Sequence, residues 1–243
     1  MCYDLELSKI PFYQIHPEYM PYIGERYDAY RILFVGESHY IGQDKNEPPV
    51  FTTAYFMAHW WNGTCSELHE KYRGWYNTRD VINYYLEGNR RKGHIIFTNI
   101  AKSFSAVVLN QPIDSINDEE SQKFNYFAFM NFFQMPSLFD GAGFWKSIEN
   151  AENRDEVWNT AVEKSKEVLD AVIDIMEPQI VIFVSQQAYN AYQESDAKHK
   201  NDDNVKGDVA HPGSPWWNRR KKDGSCGKDL LETYLKQLKL EKP

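Results

Sequence analysis

The chain has 243 residues and a net charge of −8, from 27 Lys/Arg and 35 Asp/Glu. Apolar residues make up 42% and aromatic residues 15%, too many large rings for a disordered chain, and the length suits one large α/β domain. The acidic balance excludes a protein that holds nucleic acid by a blanket positive field, although a local basic patch is compatible with it.

No run of 18 apolar residues is present, and the opening MCYDLELSKI lacks the apolar segment of a signal peptide. Cys2, Cys65 and Cys226 are scattered and form no CxxC pair. The expectation is a cytoplasmic protein with free thiols, no membrane partner and no cysteine-held metal.

Residues 1–30 read as an irregular arm, with Pro11, Pro17 and Pro21 among aromatics. Ile32–Val35 is a short apolar run stopped by Gly36, the pattern of a buried strand entering a turn. Helices are expected around 50–61 and 77–87, so that 50–110 forms a helical insertion between the first and second strands. Residues 94–109 are apolar with a spacing near 3.6, which favours helix over strand. The aromatic run 124–136 reads as a buried strand ending at Pro136. Residues 154–177 carry Val157, Ala161, Val168, Leu169, Val172, Ile173 and Met176 on one face and charges on the other, and Pro178 ends this helix. Residues 179–185 are apolar nearly throughout, as in a parallel strand. A short helix at 186–194, a polar loop at 195–206, a strand within GDVAHPGSP and a last amphipathic helix at 227–240 complete the chain.

This alternation predicts a single three-layer α/β/α domain around a mainly parallel sheet of four strands. Ligands in such sheets sit beyond the carboxyl ends of the strands. That rule selects Gly36 to Tyr40, Asn131 to Gln134 and His211 to Ser214.

The motifs Gly36-Glu37-Ser38-His39-Tyr40, an Asn at the end of the second strand, and His211-Pro212-Gly213-Ser214 resemble the uracil-DNA glycosylase superfamily, in order and in placement, over about residues 31–240. The resemblance implies a DNA glycosylase that flips a uracil or another deaminated base out of DNA and hydrolyses its N-glycosidic bond, with no metal or organic cofactor. It implies that Gly36 and Glu37 bind the base with Asn131, that Tyr40 shapes the pocket, and that His211 stabilises the departing anion. Phe56, with Phe51 or Tyr55, is a candidate stacking shelf. Asn99 is the rival to Asn131, and the crossover helix at 154–177 favours Asn131.

The sequence departs from the superfamily pattern in three places. Ser38 stands where a water-activating carboxylate is usual, which leaves Glu37 and Asp44 as the nearest carboxylates. His39 replaces a Pro, and Gly213 is inserted before Ser214.

Trp216, Trp217, Arg219, Arg220, Lys221 and Lys222 follow the last motif. Residues 198–228 hold eight Lys/Arg and four Asp/Glu, a local excess of cations in an acidic chain. Ser214, Trp216, Arg219 and Arg220 are therefore candidate DNA contacts, with the tryptophans as a wedge beside phosphate-binding cations. The same residues are also compatible with core anchors and a solvated loop. Two other functions fit the motifs. One is a non-catalytic module that binds a free nucleobase or nucleic acid on the same fold. The other is a hydrolase with Ser38 as nucleophile and His39 or His211 as base.

Overall fold

A computed structural model describes residues 3–43, 59–64, 76–89, 94–112, 122–139, 143–222 and 224–238. Its strands, in chain order, are β1 (Tyr22–Ile23), β2 (Ile32–Gly36), β3 (Tyr40–Gln43), β4 (Ala128–Asn131), β5 (Ser137–Phe139), β6 (Ile180–Phe183) and β7 (Val205–Lys206). The helices are α1 (Tyr3–Leu7), α2 (Pro11–Ile15), α3 (Thr78–Leu86), α4 (Ile95–Val107), α5 (Phe144–Ile148), α6 (Arg154–Met176), α7 (Gln186–Glu194) and α8 (Gly227–Leu235).

The main sheet has five strands in the order β1-β4-β2-β6-β7. β4, β2, β6 and β7 are parallel, and β1 adds an antiparallel edge. β3 and β5 form a separate parallel pair. The sheet is therefore one strand wider than the four expected. The fourth parallel strand lies at Val205–Lys206, upstream of the GDVAHPGSP segment expected to supply it and inside the expected polar loop.

Every residue of β2 is buried, and its side chains alternate between two cores. Leu33 and Val35 join Ala128, Met130, Val181 and Phe183 under α6 and α7. Ile32 and Phe34 join Phe127, Phe129, Ile180 and Ile182 under α4 and α8. A strand apolar on both faces is the consequence of helices covering both sides of the sheet.

The aromatic run at 124–136 is a strand only at Ala128–Asn131. Phe127 and Phe129 face one core while Ala128 and Met130 face the other; Phe132 and Phe133 then both enter the same core, so the period of two ends there.

The N-terminal arm is ordered rather than irregular. It contains α1, α2 and β1, and Tyr13, Tyr19 and Tyr27 are almost fully buried. Helices of five residues are too short to show a period and are held by packing. The helix expected at 50–61 lies mostly outside the described residues. No described helix is long and apolar enough to cross a membrane.

From β2 the chain reaches β4 on one side. From β4 it crosses through α6 to β6, on the other side of β2. The strand order reverses there, which opens a crevice between the carboxyl ends of β2 and β6.

Candidate functional site

The crevice begins where β2 ends. Gly36 pairs with Asn131 across the sheet, and a Cβ at position 36 would lie 2.3 Å from Asn131 Oδ1. The glycine thus makes room for the Asn131 amide, which leans against it. Past the strand, the Gly36 and Glu37 carbonyls accept from Phe132 N–H (3.0 Å) and Phe133 N–H (2.9 Å), so the turn is held by the continuation of β4.

Glu37 reaches across the crevice. Its Oε1 accepts from Phe144 N–H at 2.8 Å, at the start of α5, and its Oε2 accepts from Ser185 Oγ at 3.0 Å, just after β6. Ser185 is also the N-cap of α7, since its Oγ accepts from Ala188 N–H. Gly143 permits the approach: a Cβ there would lie 2.5 Å from Glu37 Oε1 and 2.9 Å from Gln187 Oε1.

The opposing lip is the turn after β7. The His211 carbonyl accepts from Ser214 N–H at 2.8 Å. The Pro212 carbonyl accepts from the Asn99 amide of α4 at 2.7 Å, which braces the turn. Gly213 N–H donates to His211 Nδ1 at 3.1 Å. Burial pushes the imidazole below its usual pKa, so the ring is neutral near pH 7. A neutral ring whose Nδ1 accepts carries its proton on Nε2. Among the described residues nothing bonds Nε2.

Glu37 and His211 line the same cleft, of about 560 Å³, together with Ser185, Gln186, Gln187 and Ser214. Its outer rim carries Trp216, Arg220, Lys221 and Lys222. Trp216 is 53% exposed, whereas Trp217 is packed into the core under α8. Arg220 is engaged by Asp229 at 3.0 Å and by the Gly224 carbonyl at 2.7 Å. A side chain so held is a weaker phosphate ligand than the sequence suggests, and Lys221 and Lys222 are the cations left at the cleft.

Other expected residues lie elsewhere. Ser38 is 7% exposed, does not line the cleft, and its Oγ has no hydrogen-bond partner among the described residues. His39 turns to Thr78 Oγ1 at 2.9 Å and lies edge-on to Tyr19; burial lowers its pKa to about 3. Tyr40 is in β3, and Arg219 is exposed; neither lines the cleft. Gly36 and Asn131, both expected to bind the base, do not line it either: the Asn131 amide lies over Gly36. Asp44, Phe51, Tyr55 and Phe56 are outside the described residues.

Three groups were not anticipated. Ser185 and Gln187 carry a sequence signal only as a polar cap after an apolar strand. Ile95 has the apolar spacing of α4 but is 48% exposed and sits against Gly213, where a Cβ would be 3.1 Å from its Cγ2. The described residues contain no group of three His, Cys, Asp or Glu able to hold a metal ion.

A second cavity, of about 380 Å³, lies between the arm, β1 and α3. Its Arg79 is already bonded to both oxygens of Asp4 and to the Pro21 carbonyl. No family model, curated protein or solved structure matches the chain.

Proposed function

We propose that the cleft at the β2–β6 crevice holds one nucleobase, free or turned out of DNA, and that the protein is a DNA glycosylase-like hydrolase of its N-glycosidic bond. The reading includes a uracil-DNA glycosylase-like arrangement of the parallel strands. The observation that carries it is that Glu37 and His211, 174 positions apart in the sequence, face one cleft where the strand order reverses.

In this reading the Nε2–H of His211 donates to the base atom on which negative charge gathers as the C1′–N bond breaks. A neutral imidazole is the form that can donate there at pH 7 while Nδ1 stays bonded to Gly213. Water then adds to the sugar: its oxygen bonds to C1′, and the proton it releases passes through solvent to the departed base anion. Ser38 cannot activate that water, since it does not line the cleft and a hydroxyl is a poor base; the step rests on stabilisation of the departing base, while Glu37 holds the base edge. Trp216 and Ile95 supply apolar surface beside the vacated stack, and Lys221 and Lys222 meet phosphates.

A second reading, a binding module without catalysis, is favoured by the buried position of Ser38 and by the engagement of Arg220. The Ser38 hydrolase loses its support, because neither histidine bonds the Ser38 hydroxyl. The test is incubation with DNA carrying uracil, hypoxanthine, xanthine or an unpaired guanine, followed by alkali. Strand scission lost in His211→Ala supports the glycosylase. Salt-dependent binding without scission supports the module. Neither binding nor scission contradicts the proposal.

A further inference from the structure

From the donor and acceptor pattern of the cleft we infer which base edge it reads: a guanine-type edge, a ring N–H beside an exocyclic amino group, in preference to the uracil edge that the sequence suggests. The inference rests on the proposal that the cleft holds a nucleobase.

Glu37 is the acceptor of the site. A carboxylate has about four lone-pair positions and no donor. Two positions are taken, one by Phe144 N–H and one by Ser185 Oγ, and these two bonds also fix the plane of the group. What it can offer a ligand is two further acceptor positions, one on each oxygen. A uracil edge sets a carbonyl on either side of its N3–H. Facing Glu37, it would make one hydrogen bond and bring a carbonyl oxygen against a carboxylate oxygen. Hypoxanthine sets one carbonyl beside its N1–H and has no donor on the other side. A guanine-type edge presents N1–H and the 2-amino group side by side, two parallel donors for two oxygens. Such a charge-assisted, bidentate pair is the strong form of the interaction.

The rest of the cleft complements that choice. His211 presents a donor, Nε2–H, which suits the ring nitrogens N3 and N7 of a purine, both acceptors. Ser214 lines the cleft, and its buried hydroxyl has no partner among the described residues, leaving it able to donate or accept. Trp216 at the rim gives a purine a larger surface to stack on than a pyrimidine could use.

The experiment uses the full chain and three duplexes, identical except for one base set opposite an abasic analogue: guanine, hypoxanthine or uracil. Binding is followed by fluorescence anisotropy. Guanine and hypoxanthine differ only in the 2-amino group, so their ratio isolates the second hydrogen bond. The wild type is expected to bind the guanine duplex about tenfold or more tightly than the hypoxanthine duplex. Glu37→Gln exchanges one acceptor for a donor while its remaining oxygen can still take Phe144 N–H. It is expected to reverse the order, so that hypoxanthine is bound at least as well as guanine. His211→Ala is expected to weaken all three without changing their order.

Equal or weaker binding of guanine by the wild type, with His211→Ala still weakening every duplex, overturns the guanine-edge inference and leaves the nucleobase reading in place. An unchanged order in a folded Glu37→Gln does the same. If Glu37→Gln does not fold, the wild-type ratio alone decides. If none of the three duplexes is bound better than a fully paired one, and His211→Ala has no effect, the nucleobase reading itself fails.

Discussion

The N-terminal arm and the cleft use the same two side-chain types in opposite ways. In the arm, His16 and Glu18 are both buried, and the imidazole Nδ1 meets Glu18 Oε1 at 3.0 Å. The other ring nitrogen meets the Trp60 carbonyl at 2.8 Å, and the ring stacks on Trp60 with centroids 4.0 Å apart. The pair closes on itself: both ring nitrogens are bonded to protein oxygens. At the cleft, Glu37 and His211 come from opposite lips, and each is steadied by other groups, Phe144 and Ser185 for one, Gly213 for the other. Each keeps hydrogen-bonding capacity toward the space between them. Residue type alone therefore does not separate a histidine–glutamate pair closed inside the core from one that faces a cleft. The separation lies in where the spare donors and acceptors point.

Breaking the closed pair should cost the most. Glu18→Ala removes one partner from a fully buried couple and should lower unfolding free energy by about 3–5 kcal/mol, measured by chemical denaturation. Base binding per folded molecule should be unchanged, since the arm does not line the cleft. A variant that stays stable would remove the distinction between the two regions.

The next effect concerns His39, which belongs with the closed region. Its folded pKa of about 3 lies below the usual value near 6.5. Between those values the unfolded chain binds the proton and the folded chain does not, so stability falls as the pH drops from about 6.5 toward 3. The slope from this one group is at most about 1.4 kcal/mol per pH unit. His39→Gln, which can still meet Thr78, should flatten the stability–pH curve in that window relative to the wild type. The burial that depresses His211 acts in the same direction and stays in both proteins.

The smallest change sharpens the open side. Gly143→Ala sets a methyl 2.5 Å from Glu37 Oε1 and 2.9 Å from Gln187 Oε1, both ends of side chains. The backbone there is extended, with φ −60° and ψ 160°, and accepts alanine without strain. Thermal stability should stay within about 1 kcal/mol, while the preference for the 2-amino group should fall several-fold because Glu37 must rotate. A retained preference in anisotropy titrations would show that Glu37 is not held as described.

The sequence made the frame legible where burial is two-sided and local. β2, β6 and α6 follow from runs whose apolar spacing is complete within one element, and α6 ends at Met176, as Pro178 requires. The arm was not legible, because its short elements owe their shape to distant partners: α1 packs on α6, β1 and the Pro17–Tyr19 turn pack on α3, and His16 stacks on Trp60. Of the site, the turn bearing Glu37 lies at the strand end the rule selected, whereas the strand expected to lead into His211 is absent among the described residues: β7 ends at Lys206, and His211 reaches the cleft from a turn five residues farther on. Asn131 obeyed the same rule and still missed the cleft, because its cross-strand neighbour is a glycine and the amide fills the gap. The bonds of Ser185 and Phe144 to Glu37 were not legible: they span 148 and 107 residues, and no periodicity reports such distances. Tyr40 and Ser38 share the Gly36–Tyr40 stretch with Glu37 but do not line the cleft; Tyr40 already begins β3.

If Glu37 and His211 act on one ligand in one cleft, their effects on binding are coupled. A double-mutant cycle of Glu37→Gln and His211→Ala, read as dissociation constants for the guanine-bearing duplex, measures that coupling. It should be at least about 0.5 kcal/mol in binding and absent from the unfolding free energy of the free protein. Strict additivity in binding, with both single variants weakening it, would contradict a shared ligand.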